Sequence, residues 1–235
     1  MFLKNQRFDI AKEYGNAEQK VGFFQKNDQF DIVTKILVNR NCENLRTACR
    51  NQLFESLKNL GVSRVYGLLL HRASDLFTEN GSQLLDILLE LQAQKFVDKI
   101  GVSIYTAKEL DAVASVFSPD IIQVPYSVAD RRLELSGYIK DLKRAKIEIH
   151  ARSIFLQGLL LLDPKQLPVS LDFVKPNLAR FRKLISEELF SPIEITVSFV
   201  ENLTEIDRVI YGVAQLEEFD QLLMLKRRPV PNGLI

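Results

Sequence analysis

The sequence predicts an α/β fold in which parallel strands and crossover helices build a barrel. Short β-rich runs alternate with longer segments of helical periodicity, which is the pattern of strands joined by crossover helices. Most of these runs are continuously apolar, as in strands that are covered on both faces. The length of 235 residues, 46% of them hydrophobic, suits a single barrel domain with a packed core.

Seven runs are predicted as strands, in the order RFDIA, FDIVTK, VYGLLLH, KIGVSI, IIQVPYS, IEIHARS and RVIYGV. A helix is predicted between the second and third runs because apolar residues recur there at helical spacing and Gly61 follows as a C-terminal stop. The apolar positions are Leu45, Cys49, Leu53, Leu57 and Leu60.

Further along the chain, Thr106 and Glu109 form a capping box that opens another helix. The last helix is predicted to turn an apolar stripe inward, made of Leu216, Phe219 and Leu223. Residues from about 163 to 176 read as a long surface loop. No repeat or linker is visible, so residues 1–235 are interpreted as one domain.

Composition argues against several classes of protein. The 31 lysines and arginines nearly balance the 30 acidic residues, so no net basic field favours nucleic acid or an anionic membrane as a partner. The start lacks the apolar core of a signal peptide, and no run is long enough to span a bilayer. Two cysteines, Cys42 and Cys49, are too few for a disulfide scaffold or a zinc site. We therefore expect a cytoplasmic protein without a metal.

Four side chains suited to carbonyl chemistry occur at the ends of successive predicted strands. Asp9 and Tyr14 lie in FDIAKEYGNAE, Lys35 closes FDIVTK, and His71 follows VYGLLL. Taken singly, each also fits a structural role, such as a turn cap for Asp9 or a core histidine for His71. Because the carboxyl ends of the strands of a parallel barrel converge on one face, their common order predicts a shared pocket.

These segments resemble the aldo-keto reductase family. FDIAKEYGNAE is similar to the D-T-A-x-x-Y-G-x-x-E segment of that family, VTK to its lysine-bearing strand end, and LLLHR to the strand that ends in its histidine. Further similar segments are GVS, QVPYS, ARSIFLQGLL and VIYGV, so the resemblance spans nearly the whole chain. It implies a TIM-type barrel and an NAD(P)H-dependent oxidoreductase that reduces a small-molecule aldehyde or ketone to an alcohol.

The resemblance implies a catalytic role for each of the four residues. Tyr14 would donate a proton to the carbonyl oxygen, Lys35 would favour the phenolate, Asp9 would hold Lys35, and His71 would orient the carbonyl. Elementary chemistry agrees with these roles, since a free phenol ionises only at about pH 10 and a nearby ammonium stabilises its anion. A neutral imidazole can also donate a hydrogen bond to the same oxygen.

The resemblance also implies residues that bind NADPH or NADH. Ser103 and Gln123 match positions that hold the nicotinamide carboxamide. Arg152 aligns with the position that stacks on the nicotinamide ring, where the family commonly has tyrosine.

The pyrophosphate of the cofactor is expected at the turn before the last helix, where a barrel places a phosphate site on a helix N-terminus. The residues of that turn are Gly212, Val213 and Gln215. Glu217 and Glu218 follow without a basic pair, and these carboxylates would repel the 2′-phosphate of NADPH.

The beginning of the sequence departs from the family pattern, because only eight residues precede Asp9 where relatives carry a strand and a helix. The predicted barrel thus lacks its first strand and helix and has about seven strands. A gene start assigned at an internal methionine is the favoured explanation. The alternatives are a homo-oligomer that covers the open barrel edge, and a catalytically impaired or non-catalytic protein of reductase fold that acts as a cofactor-sensing or partner subunit.

Overall fold

The computed structural model describes residues 7–24, 30–38 and 42–231. Each of the seven predicted runs contains a strand, and the α/β class is confirmed. The strands are β1 (Arg7–Asp9), β2 (Asp31–Ile36), β3 (Val65–Leu70), β4 (Val97–Ser103), β5 (Ile121–Pro125), β6 (Glu148–Arg152) and β7 (Arg208–Val209).

Helices separate the strands, as the alternation of the sequence predicts. Those in the described part of the chain are α1 (Ala17–Phe24), α2 (Leu45–Leu60), α3 (Gly81–Ala93), α4 (Ala107–Ala114), α5 (Arg132–Leu135), α6 (Tyr138–Arg144), α7 (Lys175–Glu187), α8 (Pro192–Glu201) and α9 (Leu216–Met224). None of the described helices is long and apolar enough to cross a bilayer.

Local signals placed two helix ends correctly. Helix α2 ends at Gly61, whose φ of 66° lies in the left-handed region that glycine adopts without strain. Helix α4 opens with the capping box of Thr106 and Glu109. The predicted loop over residues 163–176 is only partly irregular, because it contains short 3₁₀ turns at Pro164–Gln166 and Val169–Val174 and α7 already begins at Lys175.

The predicted inward stripe of α9 is wrong. Leu216, Phe219 and Leu223 are exposed, and Leu222 is the buried residue of this helix. Apolar spacing identifies one face of a helix, but burial of that face also requires a body to pack against it. Within the described residues, the buried side chain of Leu222 marks the inward face of α9 instead.

The chain divides into two compact units, one of Met1–Gln123 with Arg144–Glu148 and one of Val124–Lys143 with Ile149–Ile235. In the first unit, neighbouring strands from β1 to β5 pair in parallel in chain order. Val33, Leu69 and Ile121 form a fully buried core cluster in this unit. At Gly101 a side chain would meet the Ile121 carbonyl oxygen at 2.1 Å, so the close approach of β4 to β5 requires glycine.

In the second unit β6 and β7 are parallel, with Ala151 opposite Val209. Ile185, Phe190 and Ile195 form a core cluster against which Val230 packs. The described part of the C-terminal segment is therefore docked on this unit, since Arg228 also lies over the Phe190 ring. The interpretation of residues 1–235 as one domain stays a prediction.

Candidate active site

The carboxyl ends of the strands in the first unit carry five of the residues singled out from the sequence. Asp9 ends β1, Lys35 is the penultimate residue of β2, and His71 directly follows β3. Ser103 ends β4 and lies opposite Gln123 of β5 in the strand register. Because these strands are parallel neighbours, their ends lie along one edge of the sheet.

A buried ion pair lies at the centre of this edge. The Lys35 ammonium donates to Asp9 Oδ1, and it also donates to the carbonyl oxygen of Ile10 at 3.2 Å. The Lys35 side chain is 3% exposed and that of Asp9 is 11% exposed. A buried pair of this kind is retained only with further hydrogen bonds, and the second Asp9 oxygen accepts one from Gln123 Nε2. Asp9 is thus fixed from two sides.

Tyr14 extends from a turn over this ion pair. The turn is closed by a hydrogen bond from the Tyr14 amide to the Ala11 carbonyl at 3.0 Å. The Lys35 ammonium lies 5.1 Å from the centroid of the Tyr14 ring. The Tyr14 and His71 rings meet edge to face, with centroids 6.4 Å apart. The four residues of the predicted quartet are therefore neighbours, and Tyr14, 49% exposed, is open to a ligand.

Gln123 is fully buried and carries an unsatisfied acceptor. Its Nε2 donates to Asp9, and among the described residues its Oε1 has no hydrogen-bond partner. The orientation of the amide is dictated by charge, because an ionised carboxylate only accepts hydrogen bonds and so faces the amide nitrogen. The oxygen is then left to accept from a donor outside the described chain. A carboxamide of a ligand is such a donor.

Two glutamates near this site were not assigned from the sequence. Glu18 of α1 is 2% exposed and accepts from Thr34 Oγ1 at 3.4 Å and from Asn59 Nδ2 at 3.1 Å, which ties α1 to β2 and α2. Glu13 places Oε2 3.6 Å from His71 Nδ1. Its position directly before Tyr14 was the available signal, since the pocket predicted for Tyr14 and His71 brings their two segments together. The order of the strands does not show which neighbouring side chain reaches the imidazole.

In the second unit, the residues that were expected at the cofactor lie at the end of β6 and between β7 and α9. Arg152 ends β6, and its Nη1 donates to Ser153 Oγ at 3.1 Å. Gly212 and Val213 are exposed in the turn after β7, and Gln215 is the N-cap of α9.

The helix N-terminus that was predicted to hold the pyrophosphate already has an anion. Glu218 Oε2 accepts from the amide of Ala214 at 2.7 Å and from the amide of Gln215 at 3.4 Å. Carboxylates stabilise helix N-termini for the same reason that phosphates bind there. A phosphate at these two amides would have to displace the Glu218 side chain.

A second charged cluster lies at the amino ends of the strands of the first unit. Glu148 accepts from Tyr66 and Lys99 through Oε2 and from Arg7 through Oε1. Arg7 also donates to Asp31 at 3.0 Å, and its guanidinium lies 3.6 Å from the centroid of the Tyr66 ring. Both Glu148 oxygens are occupied, so this cluster is built as a closed ion-pair network.

Comparison with known proteins agrees with the sequence resemblance. The model of the Aldo/keto reductase family matches residues 5–227. A search of curated proteins found no match. The apo form of the aldo-keto reductase AKR11C1 from Bacillus halodurans is 17% identical, with a TM-score of 0.77 over 97% of this chain and 78% of that one.

Two further solved structures are similar. The thermostable aldo-keto reductase Tm1743, solved with the inhibitor epalrestat, is 16% identical, with a TM-score of 0.69 over 96% of this chain and 78% of that one. A putative aldo-keto reductase from Pseudomonas aeruginosa is 17% identical, with a TM-score of 0.64 over 91% of this chain and 73% of that one. These likenesses confirm the predicted TIM-type α/β fold with seven strands, and the family match shows that the chain belongs to the aldo/keto reductase family.

Proposed function

We propose that this protein is an NAD(P)H-dependent oxidoreductase that reduces an aldehyde or ketone to an alcohol, with Tyr14 as the general acid. The observation that carries the proposal is the grouping of Tyr14, Lys35, Asp9 and His71 at the carboxyl ends of the first unit's strands. Membership of an oxidoreductase family supports it. Active sites of β/α barrels lie at this end of the strands.

Each residue contributes to one proton transfer. The Tyr14 hydroxyl donates its proton to the carbonyl oxygen of the substrate. The Lys35 ammonium, 5.1 Å from the ring, stabilises the phenolate that remains. Asp9 holds the Lys35 ammonium in place, since it accepts a hydrogen bond from it and is itself held by Gln123. His71 lies against the edge of the Tyr14 ring and orients the substrate.

The residues of the first unit fit a nicotinamide cofactor. Gln123 Oε1, which has no partner among the described residues, would accept from the carboxamide nitrogen, and Ser103, paired in register with Gln123, would lie beside it. A bound nicotinamide supplies the hydride that carbonyl reduction needs. The chain's part is to bind that ring next to Tyr14 and to deliver the proton. Glu217 and Glu218 at the start of α9 favour NADH over NADPH, because both carboxylates repel a 2′-phosphate.

Replacing the acid tests this proposal. Tyr14→Phe should lower kcat by about two orders of magnitude or more, the contribution of a positioned general acid, and leave NADH affinity nearly unchanged. Reduction of propanal, lactaldehyde and 4-nitrobenzaldehyde, followed by NADH absorbance, measures it. Tyr66→Phe is the matched control, since it removes a hydroxyl from the Glu148 cluster of the same unit. Full turnover by Tyr14→Phe with all three carbonyls would show that the acid is another group.

A second candidate is a non-catalytic subunit that senses cofactor or binds a partner. The occupation of the α9 amides by Glu218 favours the partner-binding form of this candidate, because the pyrophosphate of a cofactor would compete with a carboxylate of the chain itself. Binding of NADH without turnover of any carbonyl would support this candidate. Binding with turnover that depends on Tyr14 would exclude it.

A further inference from the structure

The Tyr14 side chain is placed by its backbone rather than by hydrogen bonds of its own. It is half-exposed, and its hydroxyl has no hydrogen-bond partner among the described residues. The ring meets His71 and the Lys35 ammonium through contacts that are only weakly directional. The turn that carries Tyr14 runs directly into α1, since the Ala17 amide donates to the Tyr14 carbonyl oxygen at 3.3 Å. The position of Tyr14 over Lys35 therefore depends on the position of α1.

Glu18, in the first turn of α1, is buried and binds two neighbouring elements. Its Oε1 accepts a long hydrogen bond from Thr34 Oγ1 of β2 at 3.4 Å, and its Oε2 accepts from Asn59 Nδ2 of α2 at 3.1 Å. Neither a lysine nor an arginine of the described ranges pairs with it. An apolar side chain often fills such a place at lower cost, so the buried carboxyl group indicates a role that needs its hydrogen bonds.

The contact with Thr34 reaches the strand residue next to the catalytic lysine. Thr34 is buried and directly precedes Lys35 in β2. Successive side chains of a strand point to opposite faces of the sheet, so Glu18 binds β2 on one face while Lys35 binds Asp9 on the other. One peptide unit of β2 thus joins the anchor of α1 to the cation of the site.

The contact with Asn59 is reinforced by the backbone. Gly22 lies one helical turn after Glu18 on the same face of α1. A side chain at Gly22 would meet the Asn59 carbonyl oxygen at 2.2 Å, so α1 packs closely against the end of α2 at the residue that also donates to Glu18. Two contacts with Asn59 fix α1 against α2, and the contact with Thr34 fixes it against β2.

We propose that Glu18 is a positioning residue, which holds the turn of Tyr14 at the distance from Lys35 that proton transfer requires. It acts through α1 and β2 and is assigned no contact with the reacting atoms. This inference rests on the proposed function and deepens it. A misplacement of about 1 Å caused by a change away from the chemistry can cost a factor of about 10² in rate. Loss of the Glu18 contacts should therefore lower kcat although every catalytic side chain is still present.

Carbon-13 NMR of the full chain, with tyrosine labelled at Cζ, tests the placement of Tyr14 without any activity measurement. The chain has six tyrosines, and Tyr14→Phe identifies the Tyr14 signal. Glu18→Ala should shift this signal more than those of the other tyrosines. Glu18→Gln has the same shape and can bond both neighbours, so it should leave the signal unchanged. An unchanged Tyr14 signal in Glu18→Ala, or an equal shift in Glu18→Gln, would overturn the proposal.

A second variant keeps the test decisive if Glu18→Ala does not fold. Thr34→Val removes the hydroxyl that donates to Glu18 and nearly preserves the shape of the side chain. It should shift the Tyr14 signal and lower kcat by about three- to tenfold, the value of one hydrogen bond. Thr34→Ser, which retains the hydroxyl, is the control and should change neither. A Thr34→Val protein with an unchanged signal and unchanged kcat would contradict the role of this contact.

Kinetics with propanal and NADH test whether the placement matters. Glu18→Ala should lower kcat roughly ten- to hundredfold and leave KM and NADH affinity within about twofold of wild type, whereas Glu18→Gln should retain kcat. Leu84→Ala, which opens a cavity under α3 in the same unit, is the control for lost stability and should retain kcat while folded. Equal losses of kcat in Leu84→Ala, or a loss confined to KM, would overturn the proposal. Absence of turnover by the wild type would instead count against the proposed function, while the NMR result would still decide whether Glu18 places Tyr14.

Discussion

The first unit carries a charged cluster at each end of the same parallel strands, and the two clusters differ in how completely they are paired. At the amino ends, both oxygens of Glu148 are occupied by Arg7, Lys99 and Tyr66. At the carboxyl ends, Asp9 is also fully paired, but Gln123 Oε1 and His71 Nδ1 remain without partners among the described residues.

The difference indicates which end is structural and which is open to chemistry. A network whose acceptors are all satisfied stabilises one conformation of the strands, whereas buried polar atoms without partners are rare and need an explanation. Arg7 Nε also has no partner in the described part of the chain, but it belongs to a guanidinium whose other two nitrogens are bound. At the carboxyl ends the unpaired atoms belong to Gln123, which binds Asp9, and to His71, which contacts the half-exposed Tyr14 ring, as expected of a site completed by ligands.

The largest expected effect comes from replacing the lysine of each charged cluster with methionine, Lys35 at the carboxyl ends of the strands and Lys99 at their amino ends. Lys35→Met should lower kcat by roughly 10²–10⁴, because the phenolate of Tyr14 loses its cation, and should cost about 3 to 5 kcal/mol of stability, because Asp9 stays buried without a counter-ion. Steady-state assays and urea denaturation measure the two effects. Lys99→Met is the matched variant at the amino ends and should leave kcat within about twofold of wild type. Equal losses of kcat in both variants would remove the distinction between the two ends.

A smaller effect concerns alkaline stability at the amino ends. Burial opposes the charge of Lys99, but its hydrogen bond and charge interaction with Glu148 outweigh this and raise its pKa above the ordinary 10.5. A raised pKa means that the stabilisation is fully present below pH 10.5 and is lost as the pH rises through the higher folded-state value. Because Lys99 is partly exposed, the effect should not exceed about 1 kcal/mol.

Urea denaturation of wild type and Lys99→Met between pH 8 and 12 measures this loss. The stability difference between the two proteins should be constant at the lower pH values and shrink toward the upper end. A difference that grows with pH would contradict the assigned direction of the pKa.

The smallest expected effect concerns the N-terminus of α9. Glu218→Gln removes the charge that occupies the Ala214 and Gln215 amides, so NADH and NADPH should each bind about two- to fivefold more tightly, the value of one charge at a helix N-terminus. Isothermal titration measures the affinities. Glu217→Gln removes an adjacent charge that does not accept from these amides, and it serves as the control for NADH, which lacks the 2′-phosphate that Glu217 would repel. If neither variant changes either affinity, the cofactor phosphates do not use this helix end.

Sequence reasoning succeeded where the signal is local. The apolar runs place every strand, Gly61 ends α2 at the predicted residue, and Thr106 with Glu109 opens α4. The order of the strand ends and the family resemblance predicted that Asp9, Tyr14, Lys35 and His71 lie in one pocket. The structure places these side chains together.

The parts that could not be predicted depend on contacts between residues that are far apart in the sequence. Asp9 and Gln123 are 114 positions apart, and only their contact reveals that the Gln123 oxygen is left free. The orientation of α9 failed for a related reason, since the spacing of Leu216, Phe219 and Leu223 carries no information on what covers them.

A fluorescence titration of the full chain with NADH tests the central claim most directly, namely that the carboxyl-end site is completed by a nicotinamide carboxamide. Wild type should bind saturably, and Gln123→Met should weaken binding roughly tenfold or more, because it removes the Gln123 oxygen, which has no partner among the described residues. Gln92→Met is the matched control, since the Gln92 side chain also donates a hydrogen bond to a carboxylate of the same unit, that of Asp120. Identical affinities for wild type and Gln123→Met, or no saturable binding by the wild type, would contradict the account.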